Sequence, residues 1–117
     1  MRILIAEDDG VFAFILKKEL EEIGVQVDWA RTGVEAVLEF MEHFYDAVLL
    51  DLHMPVLDGM NALRILHRMN GGIPVIVITG DATSQEVRMS QEFGARRCFA
   101  KPFPFSALVD ELDRLAG

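Results

Sequence analysis

The 117-residue sequence predicts an α/β fold, a doubly wound (βα)5 architecture with an open, parallel five-stranded sheet and helices on both faces. Apolar runs of strand length alternate five times with segments of helical periodicity, the pattern from which parallel sheets are built. Three of the five runs are almost unbroken Val, Ile, Leu and Ala, as strands covered on both faces are. With 51% hydrophobic and 26% charged residues the chain is not disordered. Its length suits one domain, expected to span residues 1–117 with no linker, low-complexity tract or output domain.

The elements follow in order. A first strand over Ile3–Ala6 leads to a helix whose apolar positions, Phe12, Leu16, Leu20 and Ile23, recur at helical spacing and stop at Gly24. A second strand covers Val25–Trp29. Thr32 and Glu35 have capping-box spacing for a second helix, with Val34, Val37, Leu38 and Met41 as its core face. A third strand spans Ala47–Leu50, and Asp58-Gly59 reads as a turn into the third helix. The fourth strand covers Pro74–Ile78. Thr83 and Glu86 cap a fourth helix around Val87, whose apolar stripe is the weakest, and Gly94 ends it. A fifth strand over Arg97–Ala100 precedes a last helix marked by Leu108, Leu112 and Leu115. The second and fifth strands are the most polar, which suits sheet edges.

Charge narrows the function classes. Nineteen acidic against eleven basic residues give a net charge of -8 and a pI near 4.7, so direct binding to a phosphate backbone is not expected. The N-terminus lacks a signal-peptide pattern, and the apolar runs are far too short to span a membrane. A cytoplasmic location is expected. The single cysteine, Cys98, rules out an internal disulfide framework.

Ligands of doubly wound sheets sit at the carboxyl ends of the strands. There the first strand delivers Glu7, Asp8 and Asp9, the third Asp51, the fourth Thr79 and the fifth Lys101, whereas the second, ending in Ala30-Arg31, offers no comparable group. Clustered carboxylates repel one another unless a cation is shared, and Mg²⁺ is commonly held by one or two carboxylates with waters and phosphate oxygens. Carboxylates, a lysine and a hydroxyl converging in this way describe a phosphoryl pocket with Asp51 as its nucleophile.

These residues carry a resemblance. Glu7-Asp8-Asp9, the run Asp51-Leu52-His53-Met54-Pro55-Val56-Leu57-Asp58-Gly59, Thr79-Gly80 and Lys101-Pro102-Phe103 resemble the receiver domains of two-component response regulators, over Arg2 to Leu115. The resemblance implies a flavodoxin-like sheet in the order 2-1-3-4-5. It implies Asp51 as phosphoacceptor, Asp8 as direct metal ligand, Glu7 acting mainly through metal-bound water, and the His53 carbonyl completing the shell of Mg²⁺, with Mn²⁺ as a substitute. Thr79 then matches the switch hydroxyl, Lys101 the phosphoryl-pairing lysine, and the Lys101–Pro102 bond is expected to be cis. The implied partner is a sensor histidine kinase or histidine phosphotransfer domain, followed by an unidentified effector. A phosphorylation-dependent homodimer is allowed.

Some positions depart from the family pattern. Cys98 stands where an aromatic residue usually swings inward, and is expected to be a buried small hydrophobe, with Phe99 in the core. His53 and Asp81 occupy positions that tune hydrolysis of the acyl phosphate. His43 and His67 are expected to be solvated or core residues. Phe12, Phe14, Phe103 and Phe105 can form an apolar dock beside Asp51, although Phe12 and Phe103 also suit the core. Three other readings stand beside the switch. An aspartyl phosphohydrolase of the haloacid-dehalogenase kind needs an Asp where His53 stands. A flavin binder needs a phosphate-binding loop where the acidic run stands, and a degenerate receiver acts as a phosphorylation-independent adaptor. The switch reading makes the chain a signalling domain and not an enzyme in the usual sense.

Overall fold

The computed structural model describes residues 1–54 and 56–116; Pro55 of the motif and the terminal Gly117 lie outside them. Five strands and five helices alternate along the chain. They are β1 (Arg2–Ala6), α1 (Gly10–Glu22), β2 (Gln26–Ala30), α2 (Gly33–Glu42), β3 (Ala47–Leu50), α3 (Gly59–Met69), β4 (Val75–Thr79), α4 (Ser84–Glu92), β5 (Ala95–Ala100) and α5 (Phe105–Ala116). All strand pairings are parallel and the order is β2-β1-β3-β4-β5. The polar strands are the edges, as predicted, although β5 begins two residues earlier than the sequence suggested. The register of β4 and β5 is irregular between Val75 and Ile76.

Side-chain alternation divides the core in two. Leu4, Ala6, Val48, Leu50, Val75 and Val77 face Ala36, Leu63 and Leu66 on the α2–α3 side. Ile3, Ile5, Leu49, Ile76 and Ile78 face Leu16, Leu20, Leu108 and Leu112 on the α1–α5 side. Phe99 joins the second cluster, whereas Cys98 packs half-buried on the first and burial pushes its thiol up. Gly24 and Gly94 follow α1 and α4 with φ of 89° and 108°.

Three local expectations need correction. The inward face of α2 is Gly33, Ala36, Val37 and Phe40, one residue out of register from the predicted stripe; Val34, Leu38 and Met41 are 42%, 53% and 65% exposed. The reason is steric. A Cβ on Gly33 would lie 2.3 Å from the Leu57 carbonyl oxygen, so the start of α2 must turn Gly33 inward, and Ala36, Val37 and Phe40 follow it on that face. Ile23, expected to extend the α1 stripe, is instead its exposed C-cap. Thr32 does accept from the Glu35 amide, but the Glu35 carboxylate reaches back to the Arg31 amide, so the reciprocal box is open there. At α4 the Thr83–Glu86 box is complete.

The amino end of the sheet carries its own ionic group. Arg2 donates through Nε (3.0 Å) and Nη2 (2.7 Å) to Asp28 Oδ2, and the Tyr45 hydroxyl donates to the same oxygen at 2.7 Å. Partial burial alone would raise the Asp28 carboxyl, but Tyr45 and Arg2 outweigh it and hold it below the usual carboxylate range. His43, half-buried, lies 3.5 Å from Glu39 and edge-on to Tyr45. His67 is exposed with its ring against Gly94.

Candidate functional site

In this strand order the chain turns to opposite faces of the sheet after β1, into α1, and after β3, into α3, which leaves a crevice at the carboxyl ends of those two strands. Glu7 follows β1 and is fully buried; Asp51 follows β3 and is 6% exposed. The Glu7 amide donates to the Ala30 carbonyl at 3.0 Å, and the Asp51 amide to the Ala6 carbonyl at 3.0 Å. Asp9 does not join them: its Oδ1 accepts from the Val11 and Phe12 amides, both at 3.1 Å, and caps α1. Asp58 likewise caps α3 through the Asn61 amide at 2.9 Å, which matches its reading as a local turn residue.

Backbone approach fixes the acceptor loop. Gly59 donates to the Leu52 carbonyl at 2.9 Å, and a Cβ on it would fall 1.9 Å from the Asp51 carbonyl oxygen. Only glycine lets α3 start this close to Asp51. The His53 amide donates to Asp51 Oδ1 at 3.0 Å. The His53 side chain points to the pocket rim, its Nε2 3.4 Å from Glu86 Oε2 on α4.

Lys101, on the far side, links the carboxylates. Its Nζ contacts Glu7 Oε1 and lies 3.3 Å from Asp51 Oδ2, and it sits 4.4 Å from the centre of the Phe12 ring. Its amide donates to the Thr79 carbonyl at 2.9 Å, and the following bond to Pro102 is cis, as expected. Thr79 ends β4, 3% exposed, and its hydroxyl oxygen has no hydrogen-bond partner among the described residues. A buried polar atom left unpartnered is costly, so this hydroxyl marks a place where a ligand acceptor fits.

The electrostatics follow from the charge count. Burial, together with the neighbouring Asp51, pushes the Glu7 carboxyl up to about 8 even though Lys101 opposes the shift. Burial disfavours the Lys101 ammonium, but Glu7 and Asp51 more than offset it and its value is raised. One ammonium therefore does not balance the carboxylates around it. Oxygen atoms of Glu7, Asp8 and Asp51 all lie within 4.8 Å of one another. An all-oxygen set with surplus negative charge fits a hard divalent cation.

The structure thus gathers Glu7, Asp8, Asp51, Thr79 and Lys101 at one sheet edge, with the His53 backbone beside Asp51. It also adds a residue that the sequence reading missed. The second strand does contribute: the Trp29 indole N–H donates to the Glu7 carbonyl at 2.8 Å. A tryptophan placed late in an edge strand, level with the acidic turn, was the available signal.

A buried acidic crevice with one lysine and a hydroxyl unpartnered among the described residues, at the switch point of the sheet, is the arrangement of a doubly wound α/β domain with its site at the carboxyl ends of its strands. Within that class, the chain belongs to the response regulator receiver domain family, whose model matches residues 3–113. The chain is similar to the sensory/regulatory protein RpfC of Xanthomonas campestris, 38% identical over 99% of this chain and 16% of that protein. It is also similar to the autoinducer 2 sensor kinase/phosphatase LuxQ of Vibrio vulnificus, 32% identical over 96% of this chain and 13% of that one. It therefore spans only a small part of these relatives. Among solved structures, a CheY-like receiver domain protein from Methanospirillum hungatei superposes with a TM-score of 0.94 at 28% identity, covering 98% of this chain and 93% of that one. The receiver domain of the sensor histidine kinase PA1611 from Pseudomonas aeruginosa, with a magnesium ion coordinated in its active-site cleft, gives 0.89 at 30% identity, covering 99% and 98%. The response regulator TrrA from Thermotoga maritima, in complex with Mg²⁺ and BeF, gives 0.87 at 30% identity, covering 97% of each chain. The chain is thus a receiver domain of two-component systems, a signalling domain. Among its described residues no helix is long and apolar enough to cross a membrane.

Proposed function

We propose that this receiver takes a phosphoryl group onto Asp51 from a phosphohistidine of a partner kinase or phosphotransfer domain, and signals through the segment from Thr79 to α4. The P–N bond to the imidazole breaks as a P–O bond to the Asp51 carboxylate forms. Lys101 and the Thr79 hydroxyl then hold two of the phosphoryl oxygens. Glu7, Asp8, Asp51 and the His53 carbonyl hold Mg²⁺, which when bound supplies the positive charge that lets two anions approach. The observation that carries the reading is the buried Thr79 hydroxyl, unpartnered among the described residues, which a phosphoryl oxygen would satisfy. The magnesium ion in the PA1611 receiver and the Mg²⁺ and BeF in TrrA support the metal assignment.

The switch is drawn from the least anchored element. Among the described residues of α4 only Ser90 is buried, so that helix is free to shift when Thr79 moves. For the partner, α1 presents Val11, Phe14 and Ile15 to solvent, next to a groove lined by Phe12, Ile15, Leu16, Phe103 and Phe105. Phe12 also packs edge-on against Phe103 at 6.0 Å, so part of the expected dock belongs to the core and Phe14 is its exposed element. A histidine-bearing helix laid there comes within reach of Asp51. A cytoplasmic setting, where such kinases draw on ATP, accompanies the reading.

Hydrogen exchange with Mg²⁺ and beryllofluoride tests it. Slower exchange confined to Thr79–Glu92 and the Lys101 loop is the expected result. No binding and no change in exchange would replace it with the phosphorylation-independent adaptor.

A further inference from the structure

We propose that Trp29 is a positioning residue for the metal site: its indole N–H holds the backbone turn that aims the Glu7 and Asp8 carboxylates. This rests on the reading that those carboxylates bind Mg²⁺. The Glu7 peptide is held from β2 at both ends, its amide donating to Ala30 O at 3.0 Å and its carbonyl accepting from Trp29 Nε1 at 2.8 Å. The second bond fixes the Glu7 carbonyl toward β2, at the residue where the chain leaves β1 and turns toward α1. The indole is itself held in place. The Arg31 guanidinium stacks 4.4 Å from the ring centre, and a Cβ on Gly10, the first residue of α1, would be in van der Waals contact with Trp29 Cη2 at 3.7 Å. A ring needed only to fill space at a sheet edge requires no such donor, and an oriented N–H on the carbonyl of a ligand residue is how outer-shell groups fix metal ligands. Without that bond the turn relaxes, and the two carboxylates must be reordered each time a cation binds.

Calorimetric titration of Mg²⁺ into the wild-type chain and W29F, beside thermal melts, tests the inference. Phenylalanine keeps the apolar bulk and removes the donor. The expected result is a dissociation constant raised about fivefold, the worth of one neutral hydrogen bond, with acetyl-phosphate labelling of Asp51 restored at saturating Mg²⁺. An unchanged constant with a lower melting temperature would make Trp29 a packing residue and overturn the inference while leaving the metal reading intact. Absence of Mg²⁺ binding by the wild-type chain would overturn both. If W29F does not fold, the indole N–H resonance of the chain's one tryptophan decides. A shift that saturates at the calorimetric constant supports the role, and a resonance unmoved by Mg²⁺ overturns it.

Discussion

The two ends of the sheet hold ionic groups of similar make-up and opposite character. At the amino end, Asp28 is met by a guanidinium and a phenol and sits below the usual carboxylate range. At the carboxyl end, Glu7 and Asp51 share one lysine, Glu7 is pushed up to about 8, and a buried hydroxyl has no partner among the described residues. The first group is complete and contributes stability. The second gathers more carboxylates than its one lysine balances, the charge excess on which the proposed binding of a hard cation rests. Substitutions at the two ends should therefore separate stability from function.

The largest expected effect is steric. G59A forces a Cβ into the Asp51 carbonyl and should cost at least about 3 kcal/mol in urea unfolding, with labelling of Asp51 lost in what remains folded. Stability within about 0.5 kcal/mol of wild type would show that the acceptor loop moves aside at little cost.

Next comes a substitution that should improve stability and harm function. T79V removes the unpartnered hydroxyl, so the free chain should gain about 1 kcal/mol, while beryllofluoride binding weakens about tenfold. A loss of stability instead would mean that the hydroxyl is satisfied in the free chain.

Y45F is the mirror experiment. It removes one donor to Asp28 and should lower stability by about 1 kcal/mol, near 4 °C in melting temperature, with labelling of Asp51 unchanged. An effect on labelling would show that the two ends are coupled.

The smallest effect is a pH dependence. The folded-state value for Glu7, about 8, lies above its ordinary 4.5, so folding favours the protonated form. Its contribution is whole below the ordinary value and is lost as pH rises through about 8. Mg²⁺ bound at the proposed site would offset that loss by replacing the proton, so the rise in melting temperature it gives should be larger near pH 9 than near pH 6. An equal rise at both would indicate that Glu7 is already ionised without metal.

The contrast also shows what was legible in the sequence. Strand alternation, the polar edges and the residues after each strand were readable because they follow from local patterning and from a fold that brings strand ends together. The face of α2 was not. Its register is set by close approach of the backbone to Leu57 at Gly33, and a pattern of large apolar residues carries no record of that. The role of Trp29 was missed although the expected order places β2 beside β1, because the bond of its indole to the Glu7 carbonyl depends on register and ring orientation, which the strand pattern alone does not fix. Gathering Asp28, Glu39 and His43 within 4.8 Å is likewise a product of the fold, and the bonds of Asp28 to Arg2 and Tyr45 account for its place there. The group of Arg2, Asp28 and Tyr45 is spread across β1, β2 and the loop before β3 and gave no local signal.

Whether Asp51 is the phosphoacceptor of a metal-dependent pocket is decided by intact mass after incubation with acetyl phosphate and Mg²⁺. One added phosphoryl group is expected on the wild-type chain, and none on D51N or on the wild-type chain with a chelator. An adduct of equal yield on D51N, or one indifferent to the chelator, would contradict that role.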